Sequence, residues 1–192
     1  TDNVAWRRES AASAWDSIGI ILPPNPGPTK LWIVDTLYAY HLVKGTLDDY
    51  LYFSSDGCVN WCLIDTNDIL NRLDVPSVSK LWTFTDNSIY ASSDSGHTWQ
   101  VKYTTSSTLR CIAHLDTLRL WAGCDQGTIL KTVDGGNNWE SKQLPTNSRV
   151  LSISFVNDTC GWAVTSDNTL WGFGIAGTGV AGGPAATIIS MK

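Results

Sequence analysis

Three aspartates recur in the same local sequence, and their carboxylates are the first groups in this chain that could do chemistry. Each one follows a hydroxyl residue, precedes a glycine position and is followed by a tryptophan. The three turns read Ser54-Ser55-Asp56-Gly57-Cys58-Val59-Asn60-Trp61, Ser92-Ser93-Asp94-Ser95-Gly96-His97-Thr98-Trp99 and Thr132-Val133-Asp134-Gly135-Gly136-Asn137-Asn138-Trp139. Their tryptophans recur about every 40 residues, a period that is typical of one supersecondary unit repeated along the chain.

The residue types in these turns predict tight hairpins rather than a catalytic centre. Aspartate in a turn accepts hydrogen bonds from nearby backbone N–H groups, and glycine adopts positive φ without strain. Cys58 stands where the other turns have glycine, which predicts either about 1 kcal/mol of strain at that position or a turn shifted onto Gly57. The residues predicted to be structural on these grounds are Ser54, Asp56, Trp61, Ser92, Asp94, Gly96, Trp99, Thr132, Asp134, Gly136 and Trp139.

A second repeated element lies upstream of each turn. It is an aromatic residue in an apolar run, found at Tyr38, Trp82, Trp121 and Trp162. Tight-turn pairs such as Asp-Asn and Gln-Gly follow three of these runs, so each repeat divides into short strands. The third repeat is predicted to have strands at 110–115, 119–124, 128–133 and 139–143, and the fourth at 151–156, 160–165 and 170–174.

The turn pattern Ser/Thr-x-Asp-x-Gly-x-Thr/Asn-Trp resembles the Asp box, or BNR repeat. That motif occurs in the propellers of sialidases, xyloglucan-cleaving glycoside hydrolases, sortilin-like receptors and photosystem II assembly factors. The resemblance covers roughly residues 29–174. It implies an all-β, β-propeller-like fold of about four four-stranded antiparallel blades, with the Asp-box turns on the outer rim. On that basis Asp94 and Asp134 are expected to lie far from the central axis, where active sites form in this family.

The chain divides into two predicted segments. Residues 1–28, with four prolines near their end, are predicted to be an extended docking arm, with a short helix as an alternative around Glu9 to Ile18. Residues 29–192 are predicted to be the repeat domain, with repeats at about 29–66, 67–105, 106–145 and 146–192. Four blades are few for this family. The chain could close as a small ring with Ala185 to Met191 against the first repeat, two copies could join, or an open arc could be completed by other subunits.

The carboxylates give little support to catalysis. Glycoside hydrolysis needs two acidic side chains facing a cleft, yet Glu9 and Glu140 are the only glutamates, and Asp48-Asp49 is the only acidic pair. The arginine cluster and the Arg-Ile-Pro segment of sialidases have no counterpart. We therefore expect no enzymatic activity, no catalytic residue and no cofactor.

Histidines and cysteines show no metal-binding pattern. His41, His97 and His114 lack ligand spacing, and none of the five cysteines lies in a Cys-x-x-Cys pair. Cys111 and Cys124 fall on neighbouring predicted strands and could form a disulfide; Cys58 and Cys62 could pair instead, or the thiols could be buried as small apolar groups.

Composition narrows the classes of partner. The 192 residues carry a net charge of −5 without a basic patch, which disfavours nucleic acid. The glycine-rich stretch after residue 171 disfavours a membrane span. No secretory signal is recognisable, which predicts a virion or cytoplasmic location.

These observations predict a non-enzymatic module for binding or structural assembly with other protein subunits, with a virion or phage-tail component as the expected setting. The alternative is a carbohydrate-binding or glycoside-cleaving propeller that would stack sugars on aromatics such as Tyr38, Tyr40, Trp82 and Trp121. A second alternative is an assembly factor for a larger complex.

Overall fold

Strands form nearly all the regular structure in the part of the chain that is described. The structure is a computed structural model and describes residues 4–7, 16–19, 29–174 and 187–189. The strands are β1 (Val4–Arg7), β2 (Asp16–Gly19), β3 (Thr29–Ile33), β4 (Ala39–Val43), β5 (Tyr50–Ser54), β6 (Cys62–Thr66), β7 (Leu81–Phe84), β8 (Ser88–Ser92), β9 (Gln100–Thr104), β10 (Leu109–His114), β11 (Leu120–Cys124), β12 (Thr128–Thr132), β13 (Glu140–Gln143), β14 (Val150–Phe155), β15 (Gly161–Thr165), β16 (Leu170–Phe173) and β17 (Thr187–Ile189). Short 3-10 helices lie at Asp68–Arg72 and Asp125–Gly127. The all-β prediction is confirmed.

The strands assort into successive sheets in chain order. Sheet 1 is β3-β4-β5-β6, sheet 2 is β7-β8-β9, sheet 3 is β10-β11-β12-β13 and sheet 4 is β14-β15-β16-β17. Neighbouring strands are antiparallel except β16 and β17, which are parallel. Short β-rich runs separated by tight turns favour this meander, because consecutive antiparallel strands need only a hairpin between them.

The chain forms two compact units, Thr1–Thr83 with Ser92–Trp99, and Phe84–Ala91 with Gln100–Lys192. In the first unit the core lies on one face of sheet 1. Tyr40, Leu42 and Leu51 are buried there with Leu70 and Leu81. The Tyr40 hydroxyl also donates a hydrogen bond to the Val78 carbonyl, so its polar end is satisfied within this apolar cluster.

In the second unit the core lies between sheet 3 and sheet 4. The Trp121 indole of β11 stacks on the Phe155 ring of β14, with ring centroids 4.2 Å apart and planes 11° from parallel. Val150 and Ile153 of β14 complete the contact with Trp171. Strand β15 alternates buried and exposed residues, so sheet 4 buries one face against sheet 3 and leaves the other in solvent.

Four details differ from the sequence predictions. The buried aromatic of sheet 1 is Tyr40 rather than Tyr38, since Tyr40 lies opposite Trp32 of the first strand just as the buried Trp121 lies opposite Ala113. Sheet 2 has three strands, and Asp74 contributes only an isolated bridge to Trp82.

The other two differences concern the ends of the chain. Strand β2 pairs with β1, so residues 16–18 of the alternative short helix are strand, while residues 9–15 lie outside the described residues. Strand β17 lies in the segment that one of the three alternatives placed against the first repeat, and it pairs with β16 of sheet 4.

Candidate functional site

The three repeated turns lie between the last two antiparallel strands of the blade, at β5–β6, β8–β9 and β12–β13. In each turn the hydroxyl residue donates a hydrogen bond to the aspartate. The distances from oxygen to carboxylate Oδ1 are 2.9 Å for Ser54 to Asp56, 2.7 Å for Ser92 to Asp94, and 2.9 Å for Thr132 to Asp134. The same hydroxyl accepts a backbone N–H from four residues on, at 3.0, 2.8 and 2.9 Å. The hydroxyl is therefore both donor and acceptor, and all three are buried.

The aspartate carboxylates are engaged by the turns themselves. Asp134 Oδ1 accepts the backbone N–H groups of Asn137 and Asn138, at 3.0 and 2.9 Å, and Oδ2 accepts the Asn138 amide at 2.6 Å. In the second turn, Asp94 accepts both the backbone N–H and the hydroxyl of Thr98, at 2.9 and 2.5 Å. A carboxylate that is held by several donors is poorly placed to act as a base or nucleophile.

These hydrogen bonds keep the carboxylates ionised. The Thr98 and Ser92 hydroxyls lower the pKa of Asp94 to about 2. The backbone and side-chain amides of Asn138 lower the pKa of Asp134 to about 2, and those of Asn60 lower the pKa of Asp56. Each shift comes from donors within the same turn, which is the behaviour of a structural carboxylate.

Two consecutive residues in each turn have left-handed backbone. They are Gly57 and Cys58 with φ of 72° and 68°, Ser95 and Gly96 with 62° and 94°, and Gly135 and Gly136 with 73° and 86°. The bend at Cys58 is therefore not shifted onto Gly57, and both residues take part in it. Cys58 and Ser95 carry a side chain in a conformation that favours glycine, which stores strain of about 1 kcal/mol at each.

Each turn is also docked on a neighbouring loop, which joins the first two strands of the sheet in the first and third repeats and lies just before β7 in the second. The backbone N–H of Gly57 donates to the Leu37 carbonyl at 2.9 Å, and that of Gly135 to the Leu118 carbonyl at 2.9 Å. The corresponding bond in the second repeat joins Ser95 to the Ser79 carbonyl at 3.3 Å. The tight left-handed bend therefore points a backbone donor at a neighbouring loop.

Those receiving loops have a polar residue that the sequence predictions did not single out. Asp35 and Asp116 each accept two backbone N–H groups of their own loop, at 2.8 to 2.9 Å. Asn157 does the same in the fourth repeat, and Ser77 accepts one such bond in the second. The signal was a short polar residue five positions before each of the aromatics Tyr40, Trp82, Trp121 and Trp162, where it forms an Asx or Ser turn.

The turn tryptophans are half-buried and have different partners. The indole N–H groups of Trp61 and Trp139 donate to carbonyls of their own turns, Cys58 and Gly136, both at 3.2 Å. That of Trp99 donates instead to the Asp65 carboxylate on β6 at 2.8 Å. Trp139 also packs on Tyr103 of β9, with ring centroids 5.2 Å apart. Trp99 therefore ties its turn to β6, and Trp139 ties its turn to β9.

The disulfide that the sequence allowed between Cys111 and Cys124 is not formed. All five cysteines are thiols rather than disulfides in the structure. Cys111 pairs with Gly123 and Cys124 pairs with Leu109. Cys111 therefore lies opposite the residue next to Cys124 and not opposite Cys124 itself. Cys124 is buried, and burial raises the pKa of its thiol to about 12.

The other candidate chemical groups have structural surroundings. Asp49 is buried and forms a 2.5 Å ion pair with Lys44, while Asp48 is exposed. A groove of about 360 Å³ is lined by Gln126, Gln143, Leu144, Pro145, Thr146 and Asn147, a set without a carboxylate. Within the described ranges, no group of three or more histidines, cysteines or acids could hold a metal ion.

The aromatics named for sugar stacking are mostly inaccessible. Tyr40, Trp82 and Trp121 are fully buried, and Tyr38 is half-buried against Phe53. A sugar-stacking surface would have to use other aromatics. No helix in the described part of the chain has the length and apolar character to cross a membrane.

No protein-family model matches this sequence, and no curated protein does either. Among solved structures, YCF48 bound to D1 peptide has a TM-score of 0.42 at 11% identity, covering 90% of this chain and 87% of that chain. YCF48 from Cyanidioschyzon merolae has a TM-score of 0.46 at 15% identity, covering 89% and 76%. The GH74 enzyme of Niastella koreensis has a TM-score of 0.52 at 17% identity, covering 68% of this chain and 24% of that chain.

At these identities the likeness concerns the fold. Consecutive, largely antiparallel sheets of three or four strands, together with the likeness to the GH74 enzyme, define a β-propeller fold.

Proposed function

We propose that this chain is a non-enzymatic binding module that joins protein subunits in a larger assembly. The observation that carries the proposal is that the repeated aspartate carboxylates bind groups of their own turns. Asp94 and Asp134, the best-placed acids in the sequence pattern, are occupied by hydrogen bonds within their own turns. What the repeats provide is a series of antiparallel sheets, and such a scaffold serves binding through the surfaces it presents.

We also propose that the three turns are Asp boxes. The hydroxyl–aspartate bond, the buried hydroxyl and the left-handed pair recur at matching positions in all three. This recurrence supports a shared structural role for the residues predicted from the motif. In the first turn Cys58 occupies the glycine position of the motif, and its backbone N–H still donates to the Ser54 hydroxyl.

Exposed apolar side chains on the strands support a role in protein binding. Leu31 and Ile33 of β3 are exposed, and so are Trp162 and Val164 of β15 and Leu170 of β16. Contiguous apolar groups in solvent on sheet faces are typical of protein interaction surfaces. The virion or phage-tail setting rests on sequence features alone and stays a prediction.

A carbohydrate-binding or glycoside-cleaving propeller is the second candidate. Trp162 favours it, because its indole packs against Gly172 and is partly exposed, as a sugar-stacking ring must be. An assembly factor for a larger complex is a specific form of the first candidate.

Two measurements separate these functions. In the source material, an antibody against the chain should detect it by native electrophoresis in a complex well above its own mass of 21.0 kDa. The purified chain should release no reducing ends from a panel of β-glucans, xyloglucan and sialosides, and should give no signal on a glycan array. Migration as a monomer in native material would contradict the assembly role. Hydrolysis or glycan binding that is lost in Trp162→Ala would establish the second candidate instead.

A further inference from the structure

Two exposed faces of this chain match the two halves of an interface that it already contains. The existing interface is between sheet 3 and sheet 4, where Trp121 of β11 stacks on Phe155 of β14. Ile153, two residues before Phe155, belongs to the same cluster. The contact thus consists of an aromatic on the second strand of one sheet and two apolar residues on the first strand of the next.

The aromatic half of this interface recurs on sheet 4, where it is partly exposed. Register places Trp162 opposite Ser154 of the first strand, as Trp121 is placed opposite Ala113. Trp121 is fully buried, whereas Trp162 is 38% exposed. Val164 and Leu170 pair with each other across β15 and β16 and are exposed on the same face. Trp162, Val164 and Leu170 are called the sheet-4 face.

The apolar half recurs on sheet 1. Ile33 of β3 pairs with the residue just before Tyr40, and Phe155 of β14 pairs with the residue just before Trp162. Ile33 therefore occupies in sheet 1 the position that Phe155 occupies in sheet 4. Leu31 corresponds to Ile153 in the same way. Ile33 is 60% exposed and Leu31 is 50% exposed, although Phe155 and Ile153 are buried. Leu31 and Ile33 are called the sheet-1 face.

We infer that the sheet-4 face of one copy of this chain docks on the sheet-1 face of a second copy. Both faces are exposed in the single chain, and the sheet 3–sheet 4 interface shows how such faces pack. A head-to-tail contact of this kind continues the stacking of sheets from one copy into the next. The inference rests on the proposed assembly function, because it names a second copy of the chain as a partner.

The shape of Trp162 suits this role. A Cβ at Gly172 would lie 2.8 Å from the indole, so the ring packs directly against the glycine while part of Trp162 remains exposed. Trp121 presents one face to Phe155 within the chain. In the second copy, Ile33 would take the place of Phe155 against the exposed part of Trp162.

The test measures the mass of the purified full chain by sedimentation across a dilution series. The wild-type chain should associate as concentration rises. Trp162→Glu and Ile33→Glu should each weaken association by about 30-fold or more, because each places a charge in the apolar centre of the contact. Val101→Glu is the matched control, since Val101 is an exposed apolar residue on β9 outside both faces.

Mixing the two variants tests the head-to-tail geometry directly. Trp162→Glu keeps an intact sheet-1 face and Ile33→Glu keeps an intact sheet-4 face, so an equimolar mixture should recover a dimer that neither variant forms alone. Circular dichroism checks that each variant is folded, and Val164→Lys and Leu31→Lys serve as second variants on the two faces.

The inference is overturned by a wild-type chain that is monomeric at every concentration, by association that both variants leave unchanged, or by a mixture that stays monomeric. A monomeric wild-type chain found in a larger complex in native material would remove self-docking and leave the proposed assembly function in place. A monomer in both settings would remove both.

Discussion

The backbone N–H of Gly135 donates a hydrogen bond to the Leu118 carbonyl at 2.9 Å, which ties a repeated turn to the loop between the first two strands of its repeat. The donor is aimed by left-handed backbone at Gly135, and the acceptor loop is shaped by the Asp116 carboxylate. The turn is thus a link between two loops as well as a hairpin. Its polar residues should affect stability more than activity.

Ser92→Ala should destabilise the fold. The Ser92 hydroxyl is buried, donates to Asp94 and accepts the Gly96 N–H, so the variant leaves a buried backbone donor without its acceptor. We expect a loss of about 1–3 kcal/mol in the free energy of unfolding, measured by urea titration. Ser92→Thr is the control and should retain most of the stability, because threonine has the same role at Thr132. Equal stability of the alanine variant would show that the hydroxyl is not a fold determinant.

Gly96→Ala should destabilise more than Gly135→Ala. Both glycines have positive φ, at 94° and 73°. A Cβ at Gly96 would lie 3.0 Å from Leu51 Cδ2 and 3.1 Å from Ile64 Cδ1, whereas at Gly135 its nearest neighbour is Leu118 Cδ2 at 3.5 Å. Backbone strain of about 1–2 kcal/mol applies to both variants, and crowding adds to it only at Gly96. Thermal unfolding of the pair measures the difference, and a lower melting temperature for Gly135→Ala would contradict it.

The positions of strands and turns could be predicted from the sequence because both depend on local chemistry. The strand predicted at 128–133 is observed at Thr128–Thr132, and all three repeated turns lie between paired strands as expected. Alternating apolar residues and turn-forming Asp and Gly act over a few neighbours, so one sequence is enough to find them.

The remaining features depend on contacts between distant segments. The offset from Tyr38 to Tyr40 follows from pairing with Trp32, and β17 follows from pairing with β16. Nothing near Ser95 in the sequence identifies the Ser79 carbonyl as its acceptor. The side-by-side placement of Cys111 and Cys124 was predicted, but their register offset was not, because register depends on the whole hairpin.

Trp99→Phe should cost more stability than Trp139→Phe. Both variants lose similar ring area, but the Trp99 indole donates to the Asp65 carboxylate at 2.8 Å and the Trp139 indole to the Gly136 carbonyl at 3.2 Å. Hydrogen bonds to charged groups contribute about 1.5–3 kcal/mol and neutral ones about 0.5–1.5 kcal/mol. Urea unfolding of both variants tests this order. If Trp99→Phe in an Asp65→Asn background loses as much as in the wild type, the Asp65 contact is not the cause.

Acid should destabilise the chain through the turn aspartates. Their folded pKa of about 2, at Asp94 and Asp134, lies below the ordinary value of 3.8, so the unfolded chain binds more protons between these values. The contribution is complete above about pH 5 and is lost as pH falls from about 4 through 2. Asp134→Asn should make this part of the stability profile less steep, while Asp94 keeps its share, as measured by thermal melting at each pH. Asp48→Asn, an exposed aspartate outside the turns, should leave the profile unchanged.

His41 should make a separate contribution to pH dependence at higher pH. Its ring is buried beside Trp61, with centroids 5.8 Å apart, and Nδ1 has no hydrogen-bond partner in the described part of the chain. Burial lowers the pKa of His41 below 6.5, so the folded chain keeps the ring neutral while the unfolded chain takes up a proton. Stability should therefore fall as pH drops below about 6.5, well above the range of the aspartates. His41→Phe removes the proton uptake and keeps an aromatic ring at the site. Its free energy of unfolding should be flat between about pH 5 and 7, where that of the wild type slopes. His97→Phe, which changes an exposed turn histidine, is the matched control and should keep the slope. A wild-type slope that persists in His41→Phe would place the titrating group elsewhere.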